Sequence, residues 1–69
     1  MKLLDVVATT SNLPDQHLVR GQVGTVVEEL STNVMLVEFA DLSGVAYAIE
    51  PVAVDNLMEL MHAPEKVAA

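Results

Sequence analysis

Short runs of β-branched and other apolar residues, bounded by turn formers, recur along this chain and mark β-strands whose successive side chains point to opposite faces. Leu3 to Ala8 predicts a first strand, with Leu4, Val6 and Ala8 on one side and Leu3, Asp5 and Val7 on the other. Turn formers follow in Thr9-Thr10-Ser11-Asn12-Leu13-Pro14-Asp15, where Pro14 excludes a regular central strand and predicts a long first loop. Gln22 to Leu30 predicts the second strand, Ser31-Thr32-Asn33 a turn, and Val34 to Phe39 the third strand of a hairpin. Asp41-Leu42-Ser43-Gly44 predicts another turn, with Gly44 free to take positive φ, and Val45 to Glu50 a fourth strand ended by Pro51. Asp55 predicts the cap of a single helical turn through Leu57, and Met58 to Met61 a short closing strand. Residues 1–61 then form one domain, and His62 to Ala69, which has no strand pattern, is expected to be a loosely ordered tail.

Two glycines give the second strand its character. In Arg20-Gly21-Gln22-Val23-Gly24-Thr25-Val26-Val27-Glu28, Gly21 suits a sharp turn into the strand, and Gly24 suits a bulge at which a side chain would clash. A long first loop, a tight middle hairpin and a helical turn before the last strand describe an all-β fold. The expected form is a small SH3-like β-barrel of about five antiparallel strands. An open meander sheet packed on its own dimer mate is the alternative.

The pattern supplies more apolar surface than one small core needs. In the third strand Met35, Val37 and Phe39 make an inward set, yet the other face shows Val34 and Leu36 before Glu38. Val26 and Val27 point to opposite faces of the second strand. An antiparallel sheet with one solvated face places polar residues at such outer positions, so a second apolar patch is expected on the hairpin. Its candidate interface residues are Val26, Val34, Leu36, Glu38 and Tyr47.

Composition sharpens that expectation. Apolar residues make up 52% of the 69 positions, and a chain this short buries only about 60% of its unfolded surface. With Cys 0, disulfides and thiolate zinc sites are excluded, which leaves association with a second copy as the available staple. Lys+Arg 3 against Asp+Glu 10 gives a formal charge of −7, so phosphate backbones are repelled and a basic partner protein is favoured over nucleic acid. No window approaches the ~18 apolar residues of a membrane span, and Met1-Lys2-Leu3-Leu4 is too short for a signal segment before Asp5 interrupts it. A cytoplasmic location is expected.

Groups with chemical potential are few. His17 with Asp15 and His62 with Glu59 resemble metal or acid–base pairs, but neither has a third ligand at fixed spacing. Thr10, Ser11 and Ser43 have no general base in a nucleophile motif. No catalytic residue, metal or cofactor is assigned, and the chain is expected not to be an enzyme. Glu28, Glu29 and Glu38 fall on adjacent predicted strands, where carboxylates keep a sheet surface solvated. Phe39 and Tyr47 are the only aromatics, too few for a proline-rich peptide groove or a stacking platform for single-stranded nucleic acid. Met35, Met58 and Met61 read as core fillers.

Leu4-Asp5-Val6-Val7-Ala8, Leu13-Pro14, the Arg20 to Glu28 segment and Val37-Glu38-Phe39-Ala40-Asp41 share an order and spacing with a known family. Gly44-Val45-Ala46-Tyr47-Ala48 and Asp55-Asn56-Leu57-Met58-Glu59-Leu60 extend the match. From Leu3 to Leu60 the chain resembles the small bacterial proteins grouped as domain of unknown function 4926. The resemblance implies a compact SH3-like barrel, no established activity, and carriage on mobile or accessory DNA with a conceivable toxin-neutralising role. The Arg20 to Glu28 segment also looks like the glycine-containing strand of KOW motifs, but Glu28, Glu29 and Glu38 stand where RNA-binding KOW barrels carry Lys and Arg.

The leading expectation is a non-enzymatic protein-interaction module. A KOW-like nucleic-acid contact centred on Arg20 and Gly21 to Gly24 is the second, and a small-molecule site at Asp15, His17 and Arg20 the third.

Overall fold

The computed structural model of the protein describes residues 1–60. Its strands are β1 (Val6–Thr9), β2 (Val23–Glu29), β3 (Val34–Ala40), β4 (Ala46–Ala53) and β5 (Leu57–Glu59). Every ladder is antiparallel, and one sheet runs in the order β4-β3-β2-β1-β5. Short 3₁₀ turns lie at Pro14–Gln16 and Val54–Asn56. The all-β class, the number of strands, their antiparallel sense and the helical turn before the last strand are those expected. The ladders leave β4 and β5 at opposite edges, and no ladder joins them among the described residues.

The strands begin and end where local chemistry dictates. Leu3 and Leu4 fall outside β1 because Lys2–Asp5 closes into a turn. There the Lys2 amide donates to Asp5 Oδ2 at 2.8 Å, and Leu4 takes a φ of 69°. Between β3 and β4 the Gly44 amide donates to the Asp41 carbonyl at 2.9 Å, with Gly44 at φ 82° as its turn requires. Gly21 has φ 88° and makes the turn into β2. At Gly24 a side chain would clash as expected, but the residue is not at a bulge. It sits in regular register opposite Val7 and Phe39, and a Cβ there would lie 2.6 Å from Val37 Cγ1 and 2.8 Å from the Glu38 carbonyl oxygen. The bulge of β2 is at Val27, between the Val26–Val37 and Glu28–Leu36 pairs.

Pro51 does not end β4. It lies inside the strand opposite Leu36, and its carbonyl accepts from Gln16 Nε2 at 2.5 Å. In an antiparallel strand the N and O of one residue point the same way, so the proline nitrogen faces the open edge, where β3 needs no donor. Asp55 does not cap the second 3₁₀ turn either, since that turn has no side-chain cap and follows Ala53. β5 starts at Leu57 rather than Met58, and the expected strand end at Met61 and the tail lie outside the described residues.

The core lies on one face of this sheet. Val7, Val26, Met35, Val37, Phe39, Val52 and Leu57 meet there with Leu18, which comes from the first loop, and Met1, Leu13 and Val54 pack around them. Each fully buried aliphatic or aromatic side chain contributes about 1.5–3 kcal/mol relative to exposure. The loop is held over the core by polar contacts at several points. Thr9 Oγ1 donates to the Val19 carbonyl at 2.7 Å and accepts from the Gln22 amide at 3.0 Å. The Thr10 amide and Ser11 hydroxyl bond to Asn56 at 2.9 and 3.0 Å, while Gln16 reaches β4. The first loop thus ties the β4 edge to the turn before β5.

Candidate protein-interaction face

Cross-strand register fixes which side chains share the outer face of the sheet, because paired residues point to the same side. Val6, Thr25, Glu38 and Ile49 form one row across β1, β2, β3 and β4. Glu28, Leu36 and Pro51 form the next, and Val34 stands opposite Ala53. Toward the other end Ala40 faces Ala46, and buried Ala8 lies between Val23 and Met58. Val34, Leu36 and Glu38 are half-buried, while Ile49 is 52% exposed and Met58 53%. Apart from Thr25, Glu28 and Glu38, these positions are aliphatic, proline or methionine. This is the surplus apolar face expected from β3.

Five residues were expected on that face, and three are there. Val34, Leu36 and Glu38 lie together. Val26 does not: it is fully buried opposite Val37, because register puts its side of β2 against the core. Val27, its neighbour, is the unpaired extra residue at the bulge and is 37% exposed. Tyr47 also departs from the face. It is the extra residue in β4 between the Phe39–Ala48 and Ala40–Ala46 pairs, and its ring packs 6.4 Å from Phe39 at a 35° tilt. Its hydroxyl accepts from Gln22 Nε2 at 2.8 Å, and Gln22 Oε1 accepts from the Val19 amide at 2.6 Å. Tyr47 therefore fastens the start of β4 to the first loop at the rim of the core. Ile49, the most exposed member of the central row, fell within the expected fourth strand but was not named, because its side is set only by its pairing with Glu38.

The remaining expected groups are dispersed. Glu28 and Glu29 oppose Leu36 and Met35, and the β2 partner of Glu38 is Thr25, so no two of these carboxylates are paired across the strands. His17 closes the first 3₁₀ turn at φ 58° and is exposed, as are Asp15 and Arg20. The Arg20 amide donates to Asn12 Oδ1 at 3.0 Å, which secures the loop backbone just before Gly21. His62, the expected partner of Glu59, lies outside the described residues. Met35 is in the core and Met58 on the outer face. Among the described residues no pocket opens, no group of His, Asp and Glu side chains is placed to hold a metal, and no helix is long and apolar enough to cross a membrane.

The two sheet edges are guarded. β4 carries the Tyr47 bulge, Pro51 without an N–H, and Gln16 laid across its carbonyl. β5 is three residues long. Bulges, proline, covering loops and short strands are how sheets avoid pairing edge to edge. The apolar face has no such guard among the described residues.

The profile of the family described as Domain of unknown function (DUF4926) matches residues 3–59. The chain belongs to this family. Comparison with the curated proteins and with the solved structures finds no match. Membership spans all five strands, both 3₁₀ turns and the whole outer face, so the face lies within the family domain.

Proposed function

We propose that this protein is a non-enzymatic protein-interaction module that binds through the outer face of β2, β3 and β4. The observation that supports this reading is the row Val6, Thr25, Glu38 and Ile49 with its neighbours Leu36, Pro51, Val34 and Ala53. Contiguous exposed aliphatic surface of this kind on a small domain marks a contact site more often than scattered single residues do. Guarded edges direct the contact to side chains on the face instead of strand addition at a free backbone. An accessory role in which the module neutralises another protein, as the family resemblance suggests, uses the same face.

A photo-crosslinking side chain placed at Ile49 and, separately, at exposed Asp55 on the second 3₁₀ turn tests the reading in cells. Discrete protein adducts from position 49 that are missing from position 55 are the expected result. Identical adduct patterns from both positions would remove the face from consideration.

A further inference from the structure

We propose that the outer face receives a basic segment of a different protein, a Lys or Arg flanked by aliphatic residues, with Glu38 as its charged anchor. This rests on the interaction reading above and adds the chemistry of the partner.

Register places two carboxylates on the face, Glu38 between Thr25 and Ile49 and Glu28 opposite Leu36. Glu38 is half-buried, its strand neighbours on the same side are Leu36 and Ala40, and it has no ion pair among the described residues. Lys2 and Arg20, the cationic side chains among the described residues, stand in the amino-terminal turn and the first loop, and the terminal ammonium lies 3.6 Å from Glu59 Oε1. An apolar surface closing over Glu38 strips water from it, and an unpaired charge buried in this way costs several kcal/mol. The occupant must return a cation to that point.

A second copy of the chain cannot do so by packing the same face against itself. Two-fold packing presents Glu28 and Glu38 to a face whose charged side chains, among the described residues, are again Glu28 and Glu38, between molecules of formal charge −7 each. A segment with Lys or Arg between aliphatic side chains matches both features, the methylenes of the basic side chain lying along Ile49 and Leu36 while its head meets the carboxylate. The carboxylate thus selects among partners that the aliphatic rows alone would admit.

The test pans the full-length chain against a random 12-residue peptide library displayed on phage, then measures enriched peptides against four proteins. These are the wild type, Glu38→Lys, Ile49→Asp and the control Asp55→Lys, which makes the same charge change on the 3₁₀ turn; matched melting curves establish that all are folded. The expected result is a motif with Lys or Arg beside aliphatic residues. Its affinity should fall at least ~10-fold in Glu38→Lys and in Ile49→Asp, stay near wild type in Asp55→Lys, and weaken with salt. Motifs without a basic residue, or affinities indifferent to Glu38→Lys but lost in Ile49→Asp, would overturn the anchor while leaving the face in place. Indifference to Ile49→Asp would sink the face itself. A failure to enrich any motif overturns the basic segment, and light scattering that shows a dimer broken by Ile49→Asp would assign the face to a second copy.

Discussion

The two faces of the sheet are made from nearly the same residue types, yet only one is a core. On the inner face Val7, Val26, Met35, Val37, Phe39, Val52 and Leu57 are buried; on the outer face Val6, Val34 and Leu36 are half-buried and Ile49 is exposed. The difference is the first loop. It carries Leu13 and Leu18 to the inner face and is pinned there through Thr9, Ser11 and Gln16. Burial here depends on what is laid over a strand, and alternation alone marks both sides of these strands as buriable.

The contrast is broken most severely at Phe39. Phe39→Ala empties the middle of the inner face and is expected to cost about 3–5 kcal/mol, comparable with the whole stability of so small a domain. Urea titration followed by circular dichroism should find the variant largely unfolded in water. Gly24→Ala comes next, because its methyl must displace Val37 and the Glu38 backbone, at about 1–3 kcal/mol in the same titration. Gly21→Ala separates the two glycines. Nothing lies within 4 Å of a Cβ there, so its cost is the positive φ alone, about 1 kcal/mol. A larger loss at position 21 than at 24 would mean that close packing at β2 had been misjudged. The smallest effect belongs to the outer face: Ile49→Thr keeps a β-branched side chain at an exposed strand position, and the urea midpoint should move by less than the equivalent of about 0.5 kcal/mol. A loss above about 2 kcal/mol would show that the outer face is covered in the folded chain after all, which would remove the contrast between the faces.

Much of the fold was legible in the residues. The period of two located β2 and β3 to within a residue or two, Gly44 announced its turn, and Met35, Val37 and Phe39 declared the inner side of β3. The misreadings share a cause. Pro51 looked like a strand end because a proline cannot donate to a ladder, but an edge strand has positions at which no donor is needed, and sequence does not say which strands are edges. Val26 and Val27 were separable as opposite faces, but choosing between them required register, and the bulge that sets it carries no glycine. Of the expected interface, Val34, Leu36 and Glu38 follow from alternation along one strand. Ile49 needs the pairing of β3 with β4, and the removal of Tyr47 needs its contacts with Phe39 and Gln22.

The sequence by itself determined the local terms: extended segments where β-branched residues alternate, turns where glycine, proline and asparagine allow them, family membership, and a strongly acidic balance with a surplus of aliphatic residues. Those properties depend on a residue and its near neighbours in the chain. Tertiary structure decided which aliphatic face is covered, which strands are edges, and that Glu38 stands between Thr25 and Ile49 among aliphatic rows instead of beside Glu28. Each of these depends on pairings between residues far apart in sequence, whose register is fixed only when the strands, the bulges and the covering loop come together.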